Sequence, residues 1–564
     1  MTAWQPESPS YPGDLQRFAR SLARDGEPGL AIGVYAGGIL AGHGVAGCAV
    51  AEHGVPVTEH TLFDIASVSK HMTATCLLLV ARDGVIDLDA DIRPALPELA
   101  IEVPVTLRQC LSHTAGLRDY FTLCEIAGIG VPGMTEDRFT DLITGQRELD
   151  FPPGSAFSYS NTGYALASVL VRRMTGNGLA QVAAERVFGP LHMTATGFRD
   201  DVSRPVPRLA AGYVAAGTGR EAGFRRYDST EEVTGDGAVV TSLTDLAAWH
   251  GFLASGAILG PDIRDGLLAT RALTGGASTG YGLGLQAIRV DGRPAWWHSG
   301  SWAGYRAALV YLPELQAGVT VLASRNDRYA SHVALAAAAA LLGDGDPAAR
   351  YRANPMVANA RAADPARAAS ELAGVWHEPE QDVFLDVVAD GGQLVIGAGG
   401  ENGGRDRFEL GADGRWHGIG TASASCYAAD GGELVAAWGL SDRSEGRFRR
   451  AEPATGDSDG GRAVPAGWYR NDELQVQSGL RADGPGARIT IGLAPARPLV
   501  PAGPGVWRCR GGDQPGSTQL TVRAAADGAE LLVSAPGARR VRFTRVPGAG
   551  SGPELPRGLR GWAR

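Results

Sequence analysis

Lysine is almost missing from this 564-residue chain: of its 52 lysines and arginines, Lys70 alone is a lysine. A guanidinium stays protonated in proteins, whereas an ammonium can give up its proton when buried or crowded, so reversible amine chemistry is kept at one place. Basic blocks are scarce as well. Beyond short pairs such as Arg449-Arg450 no run of cations stands out, and 61 Asp and Glu leave a formal net charge of −9. That argues against nucleic acid or an anionic membrane as partner. Long apolar runs are lacking: Cys76-Leu77-Leu78-Leu79-Val80-Ala81 is far short of the ~20 residues a membrane helix needs. The first 29 residues carry Asp14, Arg17, Arg20, Arg24 and Asp25 and no basic-then-apolar leader. The six cysteines (48, 76, 110, 124, 426 and 509) form no Cys-x-x-Cys pair and no Cys/His cluster. They read as reduced core thiols of a cytoplasmic protein, not as a disulfide framework or a zinc site. His71, His113 and His250 lack metal-ligand spacing and read as capping or core residues, so no metal and no cofactor is expected.

What is present is enough apolar residue, 44% of the chain, for more than one core, since single cores stop growing near roughly 250–300 residues. Leu30–Tyr35 and Ile39–Val45, joined by Gly37-Gly38, read as a β-hairpin. An apolar helix is expected from Ser67 to Arg82, ending at Gly84, with further helices near 105–112, 135–147, 163–176, 179–187 and 242–255. Strands return at Ala295–His298, Arg306–Leu312 and Gly318–Ala323, followed by an alanine-rich helix over 330–343. Hairpin, helices, strands and a last helix imply an antiparallel sheet flanked by helices, an α+β domain. After about residue 345 short alternating strands take over in two copies. Ala373-Gly374-Val375-Trp376 opens a unit closing at Phe448-Arg449-Arg450, and Ala466-Gly467-Trp468-Tyr469 opens another closing at Phe543-Thr544-Arg545. The starts are offset by 93 residues and the ends by 95. Each unit is of a size for a small all-β barrel or sandwich. The expected division is a catalytic domain 1–345, a linker 346–365, a β domain 366–453, a linker 454–464, a second β domain 465–550 and a tail 551–564.

Three short motifs carry chemistry. Ser67 precedes Lys70 by one helical turn, which brings a hydroxyl and an amine onto one face, with the positive end of the helix near Ser67. A serine hydroxyl is a poor nucleophile until a neighbour takes its proton. Tyr159-Ser160-Asn161 follows the turn Phe151-Pro152-Pro153-Gly154. A phenol beside an ammonium can accept the serine proton and return it to the leaving group, and Asn161 offers an amide to orient substrate or Lys70. His298-Ser299-Gly300-Ser301 ends the aromatic strand Trp296-Trp297, where Gly300 would let a substrate backbone come close. Two further patterns carry nothing. Gly276-Ala277-Ser278-Thr279-Gly280 lacks the strand–turn–helix setting of a nucleophile elbow, and Gly42-His43-Gly44-Val45-Ala46-Gly47 lies on a hairpin strand with no following helix.

In this order the three motifs resemble the signatures of the penicillin-recognising serine hydrolases, which include class C β-lactamases, D,D-carboxypeptidases, some esterases and D-aminopeptidases. The resemblance covers about residues 13–345. It extends to Leu111-Ser112-His113-Thr114-Ala115-Gly116-Leu117, Thr234-Gly235-Asp236-Gly237 and Tyr281-Gly282-Leu283-Gly284. Within that group the chain is most similar to bacterial D-aminopeptidases, through Gly116-Leu117-Arg118-Asp119-Tyr120, Phe157-Ser158-Tyr159-Ser160-Asn161 and Tyr469-Arg470-Asn471-Asp472-Glu473-Leu474. The resemblance implies a β-lactamase/transpeptidase-like α+β domain followed by two antiparallel β-barrel domains. It also implies Ser67 as nucleophile, Lys70 and Tyr159 as the proton-handling pair, Asn161, His298 and Gly300 at the substrate, and the backbone N–H groups of Ser67 and Ser301 as oxyanion hole.

Two positions depart from the pattern. Gly492–Leu499 corresponds to a loop that in D-aminopeptidases brings an acid to the substrate's free amine. Here it carries Arg497 as its charged group, which suits an acyl carboxylate or a neutral group better. His298 stands where most β-lactamases have lysine, and a neutral imidazole holds a carboxylate less firmly. The expected function is therefore a serine hydrolase that cleaves amide or ester bonds through a Ser67 acyl-enzyme, D-aminopeptidase-like, on a small peptide, amide or ester. Alternatives on the same fold are a D,D-carboxypeptidase, an esterase, a weak β-lactamase, or a non-catalytic binder of peptides or cell-wall fragments. A homodimer is compatible with the resemblance.

Overall fold

The structure, a computed structural model, describes residues 14–216, 223–327, 330–343, 345–353 and 365–378. Between 383 and 546 it describes the barrel strands with part of their connections. The linker 454–464, residues 354–364, Gly492–Pro495 and the tail 551–564 lie outside the described residues.

A six-stranded antiparallel sheet organises the first domain. Its order is Gln286–Val290, Arg293–Trp302, Tyr305–Leu312, Ala317–Ala323, Leu30–Ala36 and Ile39–Ala46. Strands from the two ends of the domain thus pair side by side, Leu30 opposite Ala323. Gly37 and Gly38, both at positive φ, make the two-residue turn of the expected hairpin. The inner strands Leu30–Ala36, Tyr305–Leu312 and Ala317–Ala323 are buried at every position, because both faces of the sheet are covered. Ile32, Val34, Val319 and Val321 meet the helices Leu15–Leu22 and Ala330–Leu342. Their neighbours Ala31, Tyr35 and Leu322 turn the other way, onto the main helical core with Leu243 and Trp249. Side chains alternating across the pleat thus split one strand between two cores.

Three differences from the sequence expectation stand out. Ser67 is not in the α-helix: Ala66–Ser69 is a 3-10 turn and the helix runs Lys70–Arg82. The edge strand Gln286–Val290 lies outside the strands expected from the sequence, which begin at Ala295. The helices Tyr120–Ala127 and Pro261–Leu268 were also not expected.

Each β unit is a closed eight-stranded antiparallel barrel. The recurring ends seen in sequence are the seams: Trp376 pairs with Arg450 in the first barrel, and Tyr469 with Arg545 in the second. The first barrel fills itself with Trp376, Leu385, Leu394, Phe408, Trp416 and Leu434, stoppered by Ala369 and Leu372 of the helix Pro365–Leu372. The core of the second, including Tyr469, Leu480 and Phe543, is continuous with that of the first domain. Arg118 locks this contact. Its guanidinium, 2% exposed, lies 3.1 Å from Glu473 and 3.5 Å from Asp150, and donates to the Arg539 carbonyl at 3.1 Å. Among the described residues no helix is long and apolar enough to cross a membrane. Cys48, Cys76, Cys110, Cys124 and Cys509 are buried and unbridged.

Candidate active site

The turn before Lys70 is built to hold Ser67 forward. Ala66 has φ +47, a left-handed conformation that costs a non-glycine residue energy. The strain is held by three bonds. The Asp64 carboxylate accepts the Ala66 N–H at 2.8 Å, the Ile65 carbonyl accepts the Val68 N–H at 3.1 Å, and the Ser69 hydroxyl accepts the Val239 N–H at 3.1 Å. This tightening is why the α-helix begins only at Lys70. Burial pushes the Asp64 carboxyl up to about 6.

Lys70 has no solvent exposure. Its Nζ donates to Ser67 Oγ at 3.0 Å, to Asn161 Oδ1 at 2.9 Å and to the Asp236 carbonyl at 2.6 Å. The Asn161 and Asp236 oxygens can only accept from this nitrogen, while the Ser67 hydroxyl can accept from it or donate to it. The same nitrogen lies over the Tyr159 ring, 5.0 Å from its centroid. Ser67, Lys70, Tyr159 and Asn161, with Lys70 and Asn161 separated by 91 residues of sequence, therefore meet around one amine.

The surroundings keep this cluster in place. The Asp119 carboxylate accepts the Asn161 N–H at 2.6 Å and caps the helix Tyr120–Ala127 through the Phe121 and Thr122 N–H groups. The Tyr120 hydroxyl donates to Asp236 Oδ2 at 3.1 Å, and burial, larger than the opposing pull of Lys70, moves the Asp236 carboxyl up to about 6. His113 is a core residue, as expected, and it also supports the tyrosine. Its ring packs on Tyr159 with centroids 4.3 Å apart, and its Nδ1 accepts the Ser160 N–H. Sequence reasoning gave neither Asp119, Tyr120 nor His113 a place in the site; the only signal was their membership of stretches that carry the family resemblance.

His298 is pushed down to about 3 by burial, with the Lys70 charge adding to it, so its imidazole is neutral. Nδ1–H donates to the Ser299 carbonyl at 2.6 Å, which leaves Nε2 as acceptor for the Tyr281 hydroxyl at 3.0 Å. Both nitrogens are thus engaged inside the protein, and the ring stands behind Tyr159 with centroids 6.2 Å apart.

The strand Arg293–Trp302 forms the opposite wall. Its neighbour Gln286–Val290 pairs only as far as Trp297, so His298–Trp302 present an unpaired edge next to the nucleophile turn. The glycine at 300 has a reason other than the one expected. A Cβ there would stand 2.1 Å from the Ile65 carbonyl oxygen and 3.2 Å from the Ala66 Cβ. The backbone that approaches Gly300 is the chain's own, and the approach brings Ser67 and Ser301 to one cleft. That cleft is lined by Ser67, Asn161, Asp236, Ser301, Trp302 and Glu231, among others. Glu231 and Trp302 were not singled out in the sequence; nothing local marks them.

Arg497 opens the strand Arg497–Gly503 of the second barrel. It lies 3.7 Å from Glu125, on the helix Tyr120–Ala127, with 24% of its side chain exposed. It is not among the residues lining the cleft. The decoy Ser278 sits in an exposed loop.

The geometry agrees with what the chain is similar to. The Beta-lactamase family profile matches residues 15–344. A D-aminopeptidase of Cereibacter sphaeroides (strain ATCC 17029 / ATH 2.4.9) is 28% identical over 503 residues, 87% of this chain and 90% of that protein. A D-aminopeptidase of Gluconobacter oxydans (strain 621H) is 31% identical over 56% of this chain and 59% of its own length. Among solved structures, the octameric penicillin-binding protein homologue from Pyrococcus abyssi superposes with a TM-score of 0.52 at 20% identity, covering 77% of this chain and 98% of that one.

Proposed function

The chain belongs to the Beta-lactamase family, and from that premise we propose that it is a serine hydrolase releasing N-terminal D-residues from small peptides, amides or esters through an acyl-enzyme on Ser67. One observation carries the reading: the sole lysine of the chain, fully buried, has its Nζ 3.0 Å from Ser67 Oγ. An isolated buried amine is costly, and here three oxygens offset that cost at a serine that lines the cleft.

In this mechanism the Lys70 cation holds Ser67 Oγ and favours the developing alkoxide. The proton of Ser67 passes to Tyr159, which reacts as the phenolate paired with the same ammonium, as Oγ attacks the substrate carbonyl. Tyr159 then returns the proton to the leaving amine or alcohol. In this reading Lys70, bonded to Ser67, Asn161 and the Asp236 carbonyl, is the fixed charge and Tyr159 the carrier. The N–H groups of Ser67 and Ser301 face the tetrahedral oxygen, each worth about 3 kcal/mol in acyl transfer. Asn161 gives its amide oxygen to Lys70 and keeps its NH2 for the acyl chain. Water repeats the sequence to release the D-residue.

Arg497 no longer counts against a cationic substrate, because Glu125 stands beside it to compensate its charge. The relatives named D-aminopeptidase support the substrate class. The reading includes a small-molecule substrate, a cytoplasmic enzyme and a homodimer, the last two checked by cell fractionation and light scattering. The decisive experiment sets D- and L-alanine p-nitroanilide, an acyl-D-Ala-D-Ala peptide, nitrocefin and a p-nitrophenyl ester side by side, with Ser67→Ala as control. Highest kcat/KM on the free-amine D-substrate is the expected result. Preference for nitrocefin or the acylated peptide would replace the reading.

A further inference from the structure

The cleft wall holds a carboxyl group that has no ion-pair partner among the described residues. Glu231 is 8% exposed and lines the same cleft as Ser67 and Ser301. Its Oε2 accepts from the Ser229 hydroxyl at 2.9 Å, the Thr230 N–H at 3.1 Å and the Trp302 indole N–H at 2.5 Å. Among the described residues its Oε1 has the Thr230 hydroxyl alone, at 3.5 Å. Among the described residues no Arg, Lys or His reaches ion-pair distance of this carboxylate.

Three other acids around the site lie near Lys70 or Arg497, whereas Asp64, like Glu231, makes no ion pair among the described residues. Glu125 faces Arg497. Asp119 receives three backbone N–H groups, and Asp119 and Asp236 both feel the Lys70 charge. A carboxylate taken out of water without a counter-charge is expensive, and one fixed by three donors is held for something. We propose that Glu231 is the residue that binds the substrate's α-ammonium, and so sets the preference for a free N-terminus. This rests on the reading that the enzyme removes N-terminal residues.

Three placements support it. The ammonium of an aminoacyl group is two bonds from the carbonyl carbon, so its partner must stand on the wall next to the nucleophile and the oxyanion donors. Glu231 is tied by Trp302, the residue following Ser301 on the exposed strand edge. Trp302 in turn packs on Phe121 with ring centroids 4.8 Å apart, so the carboxylate sits beside an aromatic pair on which a small side chain can rest. Finally, fixing Oε2 with three donors leaves Oε1 as the oxygen with capacity to spare.

The test compares D-alanine p-nitroanilide with propionyl p-nitroanilide, its analogue without the amine, on the full chain and on Glu231→Gln. Glutamine keeps the shape and an acceptor for the Trp302 N–H. The ratio of kcat/KM between the two substrates should fall about 30-fold or more, mainly through KM, as expected when one member of a desolvated charge pair is removed. On the unsubstituted enzyme D-alaninamide should compete with substrate better than propanamide by a similar factor, a measurement that does not depend on the variant folding. A ratio unmoved by Glu231→Gln, with the free-amine D-substrate still preferred, would overturn the anchor and leave the D-aminopeptidase reading standing. Equal competition by the two amides would also overturn the anchor. An unsubstituted enzyme that prefers the propionyl substrate would overturn both.

Discussion

Gly300→Ala tests whether the cleft is assembled by contact between the nucleophile turn and the strand edge. The added methyl would stand 2.1 Å from the Ile65 oxygen, so one of the two backbones must retreat by more than roughly 1 Å to reach an ordinary contact. Ile65 cannot yield alone, since its N–H is bonded to the Val239 carbonyl at 2.9 Å and its carbonyl to Val68. Neither can the strand, because Gly300 lies in continuous register between Ser299 opposite Ala308 and Ser301 opposite Arg306. Overpacking of this kind costs about 1–3 kcal/mol. A displacement of ~1 Å between nucleophile and oxyanion donors costs on the order of 100-fold in rate. The assays are a thermal melt, kcat and KM on a p-nitroanilide, and the rate of Ser67 labelling by a fluorophosphonate. Expected are a lower melting temperature, kcat reduced about 100-fold and slower labelling. Raised KM with unchanged kcat and melting temperature would mean that Gly300 serves the incoming substrate after all, and the assembly argument would fail.

Lys70→Arg keeps a cation but puts a larger planar group among three acceptors at 2.6–3.0 Å. Turnover should drop on the order of 100-fold, the effect of displacing the nucleophile by about 1 Å, and near-normal turnover would remove the compact ammonium from the mechanism. Arg118→Met removes the guanidinium 3.1 Å from Glu473 and 3.5 Å from Asp150; a cost of about 3–5 kcal/mol should appear as a lower melting temperature and earlier proteolysis of the last barrel, and unaltered proteolysis would refute the lock. His250 is buried, bonded through Nε2 to Thr320 at 2.9 Å, and pushed down to about 3 by burial. Unfolded, it would protonate near 6.5, so its contribution is complete above about pH 6.5 and is lost as pH falls from there to about 3. His250→Gln should therefore flatten that limb of the melting-temperature profile.

The parts legible in the sequence are those whose cause is local. Ser67 and Lys70 bound one turn, and a lone lysine among arginines marks itself. The barrels were readable because the closing seams use the same residues twice, Gly-x-Trp or Gly-Trp at one end and Phe-x-Arg at the other. What could not be read depends on partners far along the chain. A 3-10 turn and an α-helix share the same apolar pattern over one turn, and only the Ala66 φ, fixed by Asp64 and Val239, separates them. Gly300 looked like a place for substrate because sequence shows that space is needed there but not for whom. Glu231 lies in a polar stretch, Ser229-Thr230-Glu231-Glu232, where nothing distinguishes the buried acid from the half-buried one beside it. Its environment comes from Trp302, 71 residues away.

The run Arg118-Asp119-Tyr120 shows how a distant barrel can matter to a site it does not line. Three consecutive side chains point at three places: Arg118 to the last barrel through Glu473 and the Arg539 carbonyl, Asp119 to the Asn161 N–H, and Tyr120 to Asp236. Asn161 and Asp236 are two of the groups that Lys70 bonds. Since the barrel gives no side chain to the cleft among the described residues, its effect on chemistry has to pass through backbone position. Arg118 and Asp119 share one peptide unit, so a shift of the Arg118 backbone has a bonded route through Asp119 and Asn161 to Lys70. The barrel then works as a clamp on the lysine's acceptors, and its loss should weaken kcat before it weakens the binding of substrate.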